Sequence, residues 1–285
     1  MADRHIFCIS QINLNEMFRK FLYLCPVFLL CACDRVFEYH PYDLRLESKY
    51  KNINVKNIAR LKEKDTGSDT VRFVFMGDSQ RWYDETKDFV NHVNKLEKID
   101  LVIHGGDISD FGMKKEYCWM HDILSKLKVP YVLIIGNHDN LGSGREVYKV
   151  MYGDLNFSFR YGNVKFVCLN TNALEFAYAV PVPDFKFLER EIADAQEGGY
   201  DKTIVAMHAQ PGDVVFNNNV ASPFQEYIKR LKNLQFCLHA HAHSVMVNDF
   251  FDDGVLYYGC GSMKGRSYLL FTVTSDSYRY EVVHF

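Results

Sequence analysis

The longest apolar run in this 285-residue sequence, residues 21–33, is only thirteen residues long. A helix that crosses a bilayer needs about 20, so the run is not read as a membrane span. Charge of one sign is not in excess either. Lys and Arg number 33 and Asp and Glu 36, a net of −3. The nonspecific pull toward polyanions that a basic chain exerts is therefore missing. The eight cysteines include no C-x-x-C pair, which speaks against a cysteine-built zinc site. Cys168 and Cys237 lie in apolar, strand-like runs and read as small buried hydrophobes. There is no internal repeat, no low-complexity tract and no disorder bias. What remains is 48% apolar and 15% aromatic, enough for the core of one large domain.

The apolar run has the length of a secretory signal core, about 7–15 residues. Arg19 and Lys20 supply its positive flank, and Pro26 argues against a buried helix. Residues 30–33, LCAC, resemble a bacterial lipobox, whose last Cys is lipidated. This reading starts translation at Met17, removes the chain up to Ala32 and lipidates Cys33. It places the protein outside a bacterial cytoplasm, held to a membrane. Residues 34–70 are polar, weakly patterned and turn-rich, and read as a linker. Residues 71–285 read as one domain.

Within that domain the hydrophobic rhythm alternates. Residues 71–76, 101–104 and 131–135 read as strands, with amphipathic helices over 84–96 and 114–127 between them. Strand–helix–strand–helix–strand is the pattern of a parallel α/β sheet. A hairpin follows at Gly162-Asn163. Helices are expected at 185–195 and 223–234, and strands at 203–207 and 236–238. Four more strands are expected over 245–250, 254–258, 268–273 and 278–283. The fold expected is α/β, with two packed β-sheets flanked by helices.

Five polar clusters stand directly after strand-like runs: GDSQ at 77–80, GDISD at 106–110, GNHD at 136–139, His208, and His241-Ala242-His243. Asp, Asn and His are ligands for hard or borderline divalent metals. Ligands gather beyond the carboxyl ends of strands in open α/β sheets, so strands sharing one sheet would bring these side chains to one rim. His104 and His239 sit inside strands and read as buried structural histidines.

In order and spacing the clusters resemble the calcineurin-like metallophosphoesterase superfamily, whose motifs run D-x-H, G-D-x-x-D, G-N-H-[DE], a lone H and G-H-x-H. The second and third match letter for letter. The resemblance implies two divalent ions (Mn, Fe, Zn or Mg) about 3.5–4 Å apart, which clamp a phosphoryl group and activate a water. Asp107 would bridge them. Asp78, Gln80 and His243 would complete one site, and Asn137, His208 and His241 the other. His138 would protonate the leaving group, with Asp139 orienting it. Asp110 would hold the turn or a ligand from outside. By position, directly after the first cluster, Arg81, Trp82 and Tyr83 could contact the substrate phosphate or a leaving group, with packing the alternative for Trp82 and Tyr83. Residues 178–187 would form either pocket wall or a plain connection.

Two positions depart from the family. Gln80 stands where His is usual, an amide being a weaker transition-metal ligand than imidazole. Ala240 stands where Gly is usual. The activity implied is metal-dependent hydrolysis of a phosphate mono- or diester on a phosphorylated small molecule. The alternative is a non-catalytic metal-binding or scaffold protein with an impaired first site. A nuclease is disfavoured by the near-neutral charge.

Overall fold

The computed structural model describes residues 44–176, 181–195 and 198–285. Cys33 and the signal-like run lie outside these residues. Residues 44–285 form one compact unit.

Two mixed sheets build its centre. The first has five strands in the order β11–β10–β1–β2–β3: β1 (Val71–Met76), β2 (Leu101–His104), β3 (Tyr131–Leu133), β10 (Ser267–Val273) and β11 (Tyr278–His284). The second has six in the order β4–β5–β6–β7–β9–β8: β4 (Phe157–Tyr161), β5 (Val164–Leu169), β6 (Lys202–Met207), β7 (Leu234–His239), β8 (Met246–Asn248) and β9 (Tyr257–Gly259). β1, β2 and β3 are parallel, as are β5, β6, β7 and β9. β5, β6 and β10 are buried at every residue, Lys165 and Lys202 included.

Alternate side chains divide the core into layers. Phe73, Phe75, Leu101 and Ile103 face Phe166, Ile204, Ala206 and Phe236 between the sheets. The opposite side chains of the first sheet, Val74, Met76 and Val102, pack against α2 (Tyr83–Val93), α3 (Lys114–Leu124) and α4 (Gly144–Met151). Those of the second sheet, Val167, Val205 and Cys237, pack against α5 (Phe185–Asp194) and α6 (Ala221–Lys229). The layering is the expected helix–sheet–sheet–helix sandwich. No helix among the described residues is long and apolar enough to cross a membrane.

The linker reading fails from Leu44 onward. Residues 53–64 form a helix, α1 (Ile53–Lys64), packed on the domain through Ile53 and Leu61. Its buried face also carries Asn54 and Asn57. Asn54 donates to the Leu133 carbonyl and accepts from the Leu133 amide, both at 2.9 Å. Asn57 donates to the Tyr131 carbonyl at 2.7 Å. β3 ends its sheet, and an edge strand leaves peptide groups unpaired; these two side chains pair them. Asn54→Ala is expected to lower unfolding stability by about 2 kcal/mol, because the Leu133 amide loses its acceptor in a buried place. Urea unfolding reads this, and an unchanged midpoint would remove the edge-sealing role.

Candidate metal centre

The polar clusters meet where the carboxyl ends of strands from both sheets come together. This corrects the single-sheet rim. β1, β2 and β3 lead to Asp78, Asp107 and Asn137 in one sheet, while β6 and β7 lead to His208, His241 and His243 in the other. Backbone-to-side-chain bonds tie the two groups. The His208 Nδ1 donates to the Gly105 carbonyl at 2.8 Å, and the His241 amide donates to Asp78 Oδ2 at 3.1 Å.

Asp107, His208 and His241 each bring a ligand atom within 4.8 Å of the others. The three side chains surround a gap that could hold a metal ion. His208 spends its Nδ1 proton on Gly105, so its Nε2 presents a lone pair. Burial holds this imidazole down at about 4, hence neutral at neutral pH. His241 Nε2 lies 3.2 Å from Asp213 Oδ1; a proton there leaves the Nδ1 lone pair free. That Nδ1 lies 3.2 Å from His208 Nε2. Asn137 Oδ1, a third acceptor, lies 2.9 Å from His208 Nε2. Asp107 Oδ1 is 3.5 Å from the same atom. Four nitrogen and oxygen atoms of the kinds that ligate divalent metals thus crowd around one point.

A second group adjoins the first. Gln80 Nε2 donates to Asp107 Oδ2 at 3.3 Å, and Gln80 Oε1 is buried with no hydrogen-bond partner. His243 Nε2 lies 3.3 Å from Asp78 Oδ1. Interaction with Asp78 raises the His243 imidazole above its ordinary value. Burial, then repulsion from Asp78 and Asp139, pushes the Asp107 carboxyl well above the usual range. A bound cation would reverse that cost. The oxygen-and-imidazole donor set, and the orphaned Gln80 oxygen, therefore fit divalent ions.

The backbone is shaped to the same end. Asp78, Asp107, His241 and His243 all take positive φ, between 50° and 64°, a region costly for residues other than glycine and concentrated at functional sites. Gly136 is required for a different reason. Its φ is ordinary, but a Cβ there would fall 2.1 Å from Asp107 Oδ1. Ala240 is not among the positive-φ residues. Its methyl occupies the space that side chains on Gly77 and Gly105 would need, so the departure from glycine is accommodated.

Asp139 does not orient His138. Its carboxylate is fully buried and accepts from the amides of Asp107, Ile108, Ser109 and Gly136 and from the Ser109 hydroxyl, at 2.8–3.0 Å for the closest bond of each. With both oxygens accepting, it clamps the Asp107 loop to the Asn137 loop. The partner of His138 is Asp110. The His138 Nδ1 lies 2.8 Å from the Asp110 carbonyl and 3.6 Å from its carboxylate. That carboxylate also holds Arg81 Nη2 at 2.5 Å. Trp82 packs beneath Lys264 and Tyr83 edge-on against Trp119. His104 is buried, as expected, and bonds Ser79 Oγ at 2.8 Å, bracing the first cluster. His239 is also buried, in β7. Of residues 178–187, those up to 180 lie outside the described residues, and Asp184 caps α5 by accepting from the Phe187 amide.

The calcineurin-like phosphoesterase profile matches residues 71–245, more than half of the sequence. The chain belongs to this family. Among named relatives, a probable glycerophosphodiester phosphodiesterase of Arcobacter nitrofigilis is 48% identical over 50 residues, 17% of this chain and 18% of that protein. A 3',5'-cyclic-nucleotide phosphodiesterase of Nostoc is 24% identical over 131 residues, 44% of this chain and 48% of that protein. These matches span half of each relative's length or less. Among solved structures, a dimetal phosphatase from Danio rerio superposes with a TM-score of 0.60 at 12% identity, over 75% of this chain and 97% of that one. A purple acid phosphatase from yellow lupin gives 0.58 at 14% identity, over 76% and 52%. Both show the shared fold.

Asp213 was not legible in the family motifs. Its carboxylate accepts from the Val215 amide at 2.8 Å and faces His241 Nε2. A carboxylate behind a ligating imidazole fixes its tautomer and raises its basicity. Asp213→Asn, which keeps the bond to Val215, is expected to weaken binding of one divalent ion by about tenfold or more. Titration against a competing chelator measures this; unchanged affinities for both ions would make Asp213 a loop residue only.

Proposed function

We propose that the chain is a metal-dependent hydrolase of phosphate esters, and that diesters are its preferred substrates. The convergence of Asp107, Asn137, His208 and His241 around one gap, with Asp78, Gln80 and His243 beside it, carries the reading. The relatives' names, both phosphodiesterases, favour diesters. Asp107, shared between the groups, and Asp78 supply negative charge, while Asn137 and Gln80 supply neutral oxygens that spare an incoming phosphate further repulsion. Two divalent ions held there would polarise the phosphoryl group and generate a nucleophile from water. His138, half exposed and held through Nδ1 by Asp110, has its Nε2 available to give a proton to the departing oxygen. Arg81, fixed by Asp110, places a guanidinium next to that imidazole.

Purified protein with Mn²⁺ is expected to hydrolyse aryl phosphodiesters, to stop in excess chelator and to recover when Mn²⁺ is restored. Turnover indifferent to chelator would overturn the proposal. The reading includes export and a lipid tether at Cys33, supported by residues 19–33 of the sequence. Metabolic labelling with a radioactive fatty acid, lost in Cys33→Ser, tests it.

A further inference from the structure

Nine large apolar side chains are exposed among the described residues. Single exposed hydrophobes are ordinary on a protein surface. Four of these nine stand next to the candidate site in the chain or are tied to its loops. Phe111, 59% exposed, directly follows Asp110, whose carbonyl holds His138. Val214, 77% exposed, directly follows Asp213, which holds His241. Leu174, 59% exposed, is tied to the same loop, its amide donating to the Val215 carbonyl at 3.2 Å. Val245, 40% exposed, lies two residues beyond His243, and a Cβ on Gly261 would touch both its side chain and the His243 carbonyl. Loops from both sheets that carry or brace the candidate ligands thus each carry an exposed apolar side chain.

We propose that the substrate is an amphiphilic phosphoester. Its phosphoryl group sits at the Asp107 centre, with Arg81 as the charged neighbour, and its alkyl or acyl group lies across Phe111, Leu174, Val214 and Val245. The inference rests on the phosphoesterase reading above and narrows it. Three of the four side chains are aliphatic, which suits a chain. A flat base is ordinarily held by aromatic faces together with hydrogen bonds to its edge, and Phe111 is the one aromatic of the four. A small polyol would gain nothing from any of them.

The test compares methyl and hexyl p-nitrophenyl phosphate with the Mn²⁺-loaded protein, below the concentration at which the hexyl ester aggregates. The leaving group is the same, so the ratio of kcat/KM reads contact with the other ester group. A methylene fully removed from water is worth about fourfold, so five methylenes lying along exposed side chains predict a hexyl-to-methyl ratio of about tenfold or more. In Phe111→Ser/Val214→Ser, both changes being on exposed side chains, the ratio is expected to fall by about threefold or more. A wild-type ratio near one, or a ratio unmoved in the double variant, overturns the amphiphile while hydrolysis of the methyl ester leaves the phosphoesterase reading standing. Turnover of neither ester overturns both.

Discussion

Asp107→Asn is expected to lower kcat on any phosphoester by about 10³ or more, because it removes the one anion shared by both ligand groups and with it several kcal/mol of metal-derived stabilisation. The substitution keeps the shape of the side chain. The Oδ1 that accepts from the His138 amide at 3.0 Å is retained. What changes is charge and one donor: an amide Nδ2 would face Gln80 Nε2, donor against donor, where Oδ2 now accepts. The metal-free protein should respond in the opposite direction. Burial and the neighbouring carboxylates raise the Asp107 pKa in the folded state, so the folded protein binds this proton more tightly than the unfolded chain. Its contribution to stability is therefore lost as pH rises from the ordinary carboxylate range toward the raised value. Above the ordinary carboxylate range the buried carboxyl is therefore a burden on the apoprotein, and Asn removes it. A higher melting temperature in chelator, a lower metal content and a loss of turnover should appear together. Activity within tenfold of wild type with two ions still bound would remove Asp107 from the shared position.

The strand-end clusters were legible because two independent signals coincide there. Apolar runs such as residues 71–76 mark strands, and short metal-ligating side chains follow them without a gap. The failures share a cause as well: contacts that sequence adjacency does not report. Asp139 neighbours His138 in the chain, but its carboxylate turns to the amides of 107–109, thirty residues earlier. Asp213 meets His241 across 28 residues, from a loop with no periodicity to announce it. α1 was hidden because part of its buried face is Asn54 and Asn57, polar groups that satisfy a sheet edge and so erase the apolar stripe by which helices are read. The need for glycine at 136 comes from the Asp107 carboxylate lying against it, a contact no local pattern reports. Ala240 departs from the family's glycine and fits because two glycines face it.

His138→Ala separates proton transfer from metal binding. His138 is not among the side chains that converge on Asp107, so metal content should stay at the wild-type value. Turnover should fall by about 10²–10⁴ for an ester with an alkoxide leaving group, the usual span for loss of a positioned general acid. For a p-nitrophenyl ester the fall should be much smaller, since nitrophenolate departs as an anion without a proton. The geometry gives the reason for expecting an acid at this place. Nδ1 is held at 2.8 Å from the Asp110 carbonyl, an acceptor that requires a proton on that nitrogen in every state. The second proton therefore resides on Nε2. The Asp110 carboxylate lies 3.6 Å from Nδ1 and is paired with Arg81 at 2.5 Å, so one residue fixes both the imidazole and the guanidinium. Equal losses for the two leaving groups would assign His138 to stabilising phosphoryl charge instead, and a drop in metal content would place it among the ligands.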